Sequence, residues 1–148
     1  MEIYIDADGC PVINMAVKIA KHKNIPVTIV KNYAHEIQDD YAKIVTVDIS
    51  SDSADYYIAN HIKKEDLLIT QDYGLAAMAL ARGASCINQN GHVITNENIL
   101  SHLSRRHTNQ KMRKEKRVYT KIKKRTPEDD LAFTSSLEAL LNDKLQQN

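Results

Sequence analysis

The chain opens with an apolar strand that runs straight into carboxylates, Ile3-Tyr4-Ile5-Asp6-Ala7-Asp8-Gly9-Cys10-Pro11-Val12. The same design, a short apolar run, then aspartate, then a helix, returns at Asp52-Ser53-Ala54-Asp55 and at Thr70-Gln71-Asp72. In an α/β domain with parallel strands, every strand's C-terminal end lies on one edge of the sheet. Asp6, Asp8, Asp52, Asp55 and Asp72 are therefore expected to converge there despite their separation in sequence. At about 4 Å and an effective dielectric of about 20, one bare pair repels by roughly 4 kcal/mol. Such a cluster calls for protons or, at neutral pH, a divalent cation.

At 148 residues and 43% hydrophobic content, the chain can build one domain with a real core, followed by a C-terminal extension. No apolar run approaches the ~18 residues of a membrane span. Met1 leads into a strand carrying Glu2 and Asp6, not into a signal peptide, so a cytoplasmic protein without membrane contact is expected. Cys10 and Cys86 are the only cysteines and make no CxxC pair, which supports neither a zinc ribbon nor a disulfide framework. Cys10 sits near a helix start, where a thiol can be activated, but a small buried thiol is the commoner role.

The net charge of +1 conceals a division. Residues 1–104 carry 8 Lys/Arg against 13 Asp/Glu, residues 105–125 carry 11 against 1, and residues 126–148 carry 1 against 5. Arg105, Arg106, Lys111, Arg113, Lys114, Lys116 and Arg117, with Lys121 to Arg125, form one basic block beside an acidic body, and polyanions are its expected partners. Tyr119 is the only ring in that block, so base stacking has little support there.

Short runs rich in Ile, Val and Leu predict strands at Glu2 to Asp6, Val27 to Val30, Ile44 to Val47, Leu67 to Thr70 and Ser85 to Asn88. Between them, helical spacing predicts one helix from Pro11 to Asn24 or the turn before Pro26, one over Ser53 to Lys63 and one over Tyr73 to Arg82. The second should bury Ala54, Tyr57, Ile58, His61 and Ile62; the third should bury Leu75, Met78, Ala79 and the stem of Arg82, with Gly83 as a left-handed cap. Thr95 or Asn96 would cap a further helix through Leu103. Pro127-Glu128-Asp129 opens a last one over about 128–145, with Leu131, Phe133, Leu137, Leu140, Leu141 and Leu145 as its stripe. Gly91 reads as a turn, joining the fifth strand to a short hairpin arm. The alternation predicts a three-layer α/β/α domain with a mainly parallel sheet of about five strands.

Each aspartate also has a purely structural reading as a helix cap: Asp6 or Asp8 for the first helix, Asp52 with Asp55 as a capping-box variant, and Asp72 for its own helix. Their recurrence at one sheet edge favours a shared cation site, and oxygen-only ligands favour Mg²⁺ or Mn²⁺. The six histidines show no HExxH pattern, and GxGxxG, GxxxxGK[ST] and GxSxG are absent, which removes the usual support for nucleotide cofactors and a serine nucleophile.

The order Asp-Ala-Asp-Gly-Cys-Pro-Val at 6–12, then Asp52-Ser53-Ala54-Asp55-Tyr56-Tyr57-Ile58, then Asp66-Leu67-Leu68-Ile69-Thr70-Gln71-Asp72-Tyr73-Gly74-Leu75-Ala76, resembles the YaiI/YqxD family of bacterial proteins over most of the chain. That family is in turn similar to a distant branch of the PIN-like nucleases, which hold Mg²⁺ or Mn²⁺ on acidic residues and cut RNA. The resemblance implies a single PIN-like domain over 1–148, RNA as partner and the option of a homodimer. It implies Asp6, Asp8, Asp55 and Asp72 as metal ligands, with Asp52 or Asp55 completing the shell or placing a water. Asn32 and Thr70 would orient ligands or substrate, and the basic residues from Arg105 onward would grip phosphates. The chain departs from the family at Gln89-Asn90-Gly91, at Lys121 to Arg125 and at Asp130, where a Pro-Arg-Gly, a Gly-Gly-Pro turn and an arginine are frequent.

Two rival readings follow from the same residues. An apolar strand before Asp-x-Asp-Gly also opens haloacid-dehalogenase-type phosphatases, in which Asp6 would be the nucleophile and Asp8 the general acid. The chain could instead bind nucleic acid without cutting it, the metal site being retained.

Overall fold

The computed structural model describes residues 1–50, 52–104 and 124–147. Its centre is β1 (Ile3–Asp6), buried at every position. Continuous apolar character of this kind suits a parallel strand covered on both faces. It pairs in parallel with β2 (Val27–Asn32) on one side and β4 (Leu67–Ile69) on the other. β3 (Lys43–Val47) extends the sheet beyond β2 and β5 (Ser85–Ile87) extends it beyond β4, both in parallel. The predicted hairpin arm adds a sixth strand, β6 (Val93–Ile94), antiparallel to β5. The order is β3-β2-β1-β4-β5-β6. The chain thus grows outward from β1 in one direction, returns past it, and grows in the other, which places a topological switch point between β1 and β4.

Helices cover both faces. α1 (Ile13–His22) and the long α5 (Pro127–Gln146) bury Ala16, Val17, Ala20, Phe133, Leu137 and Leu141 against Ile3, Ile5 and Ile29. α2 (Ser53–His61) and α3 (Tyr73–Ala81) bury Ile58, Leu75, Ala76 and Ala79 against Tyr4, Val30 and Leu68. Residues 99–104 form α4, which adds Ile99 and Leu103 to this second core. The alternation of Ile3 and Ile5 with Tyr4 between the two cores is the period-two pattern of a strand sandwiched between helix layers. Each fully buried Ile, Leu or Phe contributes about 1.5–3 kcal/mol by leaving water.

Several expected faces are narrower than the sequence indicates. On α5, Phe133, Leu137 and Leu141 are fully buried, whereas Leu131 is 66% exposed and Leu145 is 42% exposed. At 100° per residue Leu131 lies about 120° round the helix from Leu137, outside the stripe that meets the sheet. On α3 the small Ala76 takes the buried position, while Met78 and Arg82 face solvent. On α2, His61 is exposed and stacks on Tyr57 with ring centroids 3.9 Å apart. α1 starts at Ile13, two residues later than Pro11 suggests, and its N-cap position, Val12, makes no side-chain cap. Gly83 adopts the expected left-handed conformation at φ 86°, and Thr95 caps the turn before α4 by bonding the Asn98 amide. Thr126 and Asp129 form a reciprocal capping box around Pro127 at the start of α5.

Candidate active site

β1 delivers Asp6 to the switch point. Its carboxylate is buried, and Oδ2 accepts a hydrogen bond of 2.8 Å from Thr70 Oγ1, on the residue that follows β4. The same hydroxyl oxygen accepts from the Asp72 amide at 3.0 Å. Asp72 then caps α3, its Oδ1 accepting from the amides of Gly74 at 2.9 Å and Leu75 at 3.2 Å. Gln71 closes the other side by donating its Nε2 hydrogen to the Gly9 carbonyl, tying the β4–α3 turn to the β1–α1 loop.

Above this floor lies a cleft of about 360 Å³ at the C-terminal edge of the sheet. Asp6, Asp8, Asp55 and Asp72 all line it, as the strand-end reading requires, and Asn32 does too. Asp52 does not. It occupies the N-cap position of α2, exposed, and makes no side-chain cap there, so the capping-box reading of Asp52 with Asp55 fails. The carboxylate that the third strand contributes instead is Asp48, immediately after Val47 of β3. Lys31 and Gln71 also line the cleft. Lys31 is half-buried and donates to the Asn32 carbonyl at 3.4 Å. Sequence reasoning passed over Asp48, Gln71 and Lys31. For Asp48 the signal was present, because it directly ends an apolar run.

Crowding marks the electrostatics. Burial pushes the Asp6 carboxyl up, the Thr70 hydroxyl and the Asp8 backbone amide pull it back, and the charges of Asp72 and Asp8 push it up again. Asp55 is pushed up to about 6, chiefly by burial, then by Asp72, Asp6 and Asp52. Asp8 is 83% exposed by side chain and lies 3.6 Å from His35 Nε2 at the cleft mouth. Asn32 and Thr70 are committed to the scaffold: Asn32 Oδ1 accepts from the Ala34 amide at 2.8 Å in a turn that leaves β2. Burial also raises the Cys10 thiol, with the Arg125 charge acting in the opposite sense, so the buried-thiol role fits it.

Among the described residues, no three His, Cys, Asp or Glu side chains stand close enough together to hold a metal ion. What the cleft offers a cation is a concentrated negative field from hard oxygen donors, which suits Mg²⁺ or Mn²⁺ by ligand type, and it would need side-chain adjustment to form a coordination shell. Arg105, Arg106, Lys111, Arg113, Lys114, Lys116 and Arg117 lie outside the described residues. Arg125, at the end of the basic block, is structural. Its guanidinium donates to Asp130 Oδ1 at 2.6 Å, Asn90 Oδ1 at 3.2 Å and the Gln89 carbonyl at 2.8 Å. These are the positions at which the chain departs from the family pattern, and here they answer one another. Among the described residues, no helix is long and apolar enough to cross a membrane.

The family model described as "Uncharacterized BCR, YaiI/YqxD family" matches residues 4–143. A UPF0178 protein of Alkaliphilus oremlandii is 52% identical over 145 residues, covering 98% of this chain and 94% of its own. One from Natranaerobius thermophilus is 40% identical, covering 95% and 96%, and one from Clostridium acetobutylicum is 37% identical, covering 95% and 97%. No solved structure matches the chain.

Proposed function

This chain belongs to the YaiI/YqxD family, and within it we propose a Mg²⁺- or Mn²⁺-dependent phosphodiester hydrolase of PIN-like type that acts on RNA. One observation carries the reading: aspartates from the ends of β1 and β3, the start of α2 and the β4–α3 turn line a single cleft at the switch point of the sheet. Ligands of open α/β sheets bind in that crevice. Carboxylates crowded enough to lift Asp6 and Asp55 well above the usual range favour an added positive charge.

Asp6, Asp8, Asp55 and Asp72 would hold the cation, which when bound supplies Lewis acidity toward a phosphoryl oxygen and a more acidic water. The chain's own groups do the rest. Thr70 fixes the orientation of Asp6. Asp55, with its carboxyl near pH 6, is ionised at neutral pH and basic enough to accept a proton from an attacking water. Lys31 offsets phosphate charge at the cleft wall.

The test is calorimetric titration of Mn²⁺ into wild type and Asp6→Asn, followed by incubation of both with labelled single-stranded and structured RNA. Saturable binding and metal-dependent cleavage, both lost in Asp6→Asn, support the hydrolase. RNA binding without cleavage in either protein replaces it with a non-catalytic RNA-binding role. A beryllofluoride adduct on Asp6 replaces it with a phosphatase.

A further inference from the structure

Beside the acidic cleft lies a second one of about 340 Å³, between the start of α1 and the β2–β3 loop. Ile13 and Asn14 line one wall, and Glu36, Ile37 and Gln38 line the other. The same two loops wall both clefts. Along them the chain passes from Asp8 to Ile13 on one side and from Asn32 to Glu36 on the other. At that crossing His35 Nε2 stands 3.6 Å from Asp8 Oδ1, so one short contact partitions two adjoining spaces.

Their chemistry differs. Among the described residues, no lysine or arginine lines the second cleft, so it lacks the charge that would draw in a phosphate. It combines the partly buried Ile13 and Ile37, one from each wall, with the exposed amides of Asn14 and Gln38 and the exposed carboxylate of Glu36. A small apolar slot edged by a few polar groups suits a flat heterocycle with a hydrogen-bonding rim. The amides both donate and accept, whereas an ionised carboxylate only accepts.

We propose that this second cleft is a nucleobase subsite for the nucleotide beside the reacting phosphodiester of an unpaired strand, and that Glu36 selects bases carrying an exocyclic amino group. This location in the substrate rests on the hydrolase reading of the acidic cleft. Adenine N6 and cytosine N4 are donors that a carboxylate accepts, while uracil presents a carbonyl oxygen at the matching position and would set acceptor against acceptor. The β2–β3 loop thus serves both clefts, with His35 against Asp8 and Glu36 to Gln38 reading the base.

The experiment measures binding of fluorescein-labelled A6, C6 and U6 RNA to the full-length protein by anisotropy, with a chelator present to prevent cleavage. Any contribution of phosphate contacts is common to the three oligomers and cancels in the ratio. Wild type is expected to bind A6 and C6 roughly tenfold more tightly than U6. Glu36→Gln, which restores a donor at an exposed position, and Glu36→Ala should both bring the ratio close to one. Equal wild-type affinities, no binding of any oligomer, or a ratio that survives both substitutions overturns the subsite. The same oligomers with Mn²⁺ separate the two ideas: a base preference without cleavage removes the hydrolase and keeps the subsite, and cleavage without preference removes the subsite alone.

Discussion

Thr70 Oγ1 donates to Asp6 Oδ2 at 2.8 Å across the switch point of the sheet, joining the ends of two neighbouring parallel strands through a carboxylate buried to 7% exposure. A buried carboxylate keeps its charge only when hydrogen-bonded or paired, and this hydroxyl supplies one of the bonds that pull the Asp6 carboxyl back toward ionisation. Thr70→Val keeps the shape and removes the donor, and also leaves the Asp72 amide without its acceptor on this residue. The expected loss of stability is about 1–3 kcal/mol at pH 8, by urea unfolding. Because the lost bond favours the ionised form, the deficit should shrink as acid protonates Asp6. Thr70→Ser should recover most of it. A Thr70→Val protein as stable as wild type at pH 8 would show that the bond does not hold the strand ends.

Asp55 gives a pH dependence whose sign is fixed by its raised carboxyl. Its value in the folded protein is about 6 against 3.8 for the ordinary group. The folded state therefore binds the proton more tightly than the unfolded chain does. This contribution to stability is fully present below about 3.8 and is lost as the pH rises through about 6. At pH 7.5 the wild type carries an ionised, crowded Asp55, and Asp55→Asn should melt at a higher temperature. The advantage should fade between pH 7 and pH 4. Thermal melts of both proteins across that range check it, and a pH-independent difference would contradict the electrostatic cause.

The strand-end rule located Asp6, Asp55 and Asp72 because a parallel sheet puts its C-terminal ends together whatever the loops do. It could not choose between Asp48 and Asp52. Both follow β3 and precede or begin α2, and the path of the connecting loop leaves no periodic trace in the sequence. Asp48 lies in the cleft because it directly follows the strand, while Asp52 sits exposed at the head of the helix. Apolar spacing found α5 but overstated its stripe, because a helix against a flat sheet buries only the three positions that meet it, Phe133, Leu137 and Leu141. Arg125 is the clearest case of a residue that composition alone misreads. Counted with its neighbours it belongs to a polyanion-binding block, yet its partners lie as far away as Gln89, 36 positions back in the chain.

Arg125 therefore predicts a stability phenotype. Its Nε bond to Asp130 is charge-assisted, and its other nitrogens bind the β5–β6 turn at Asn90 and Gln89, clamping the start of α5 to that turn. Arg125→Ala should cost about 1.5–3 kcal/mol in denaturant unfolding. Arg125→Lys keeps the charge but loses the planar fork, so it should recover only part of the loss. Asp130→Asn should be milder than either, since it leaves the two turn contacts in place. Full stability in Arg125→Ala would mean that the clamp does not hold.

The same turn predicts an unequal response from two glycines with nearly the same backbone. Gly83 has φ 86° and Gly91 has φ 85°, so alanine at either suffers the left-handed penalty of about 1–2 kcal/mol. Their neighbours differ. A Cβ on Gly83 would meet the Lys64 side chain at 3.0 Å, which can swing aside. A Cβ on Gly91 would stand 2.6 Å from the Ala132 carbonyl oxygen and 3.0 Å from its carbon, both backbone atoms of α5. The Gly91 carbonyl also accepts from Ser136 Oγ at 2.6 Å, so the turn cannot back away without breaking that bond. Gly83→Ala should fold with a loss near the backbone penalty alone. Gly91→Ala should lose at least twice as much and loosen the docking of α5, which carries Phe133 and Leu137 into the core. Parallel urea melts of the two variants decide it: equal losses would show that α5 moves freely relative to the β5–β6 turn.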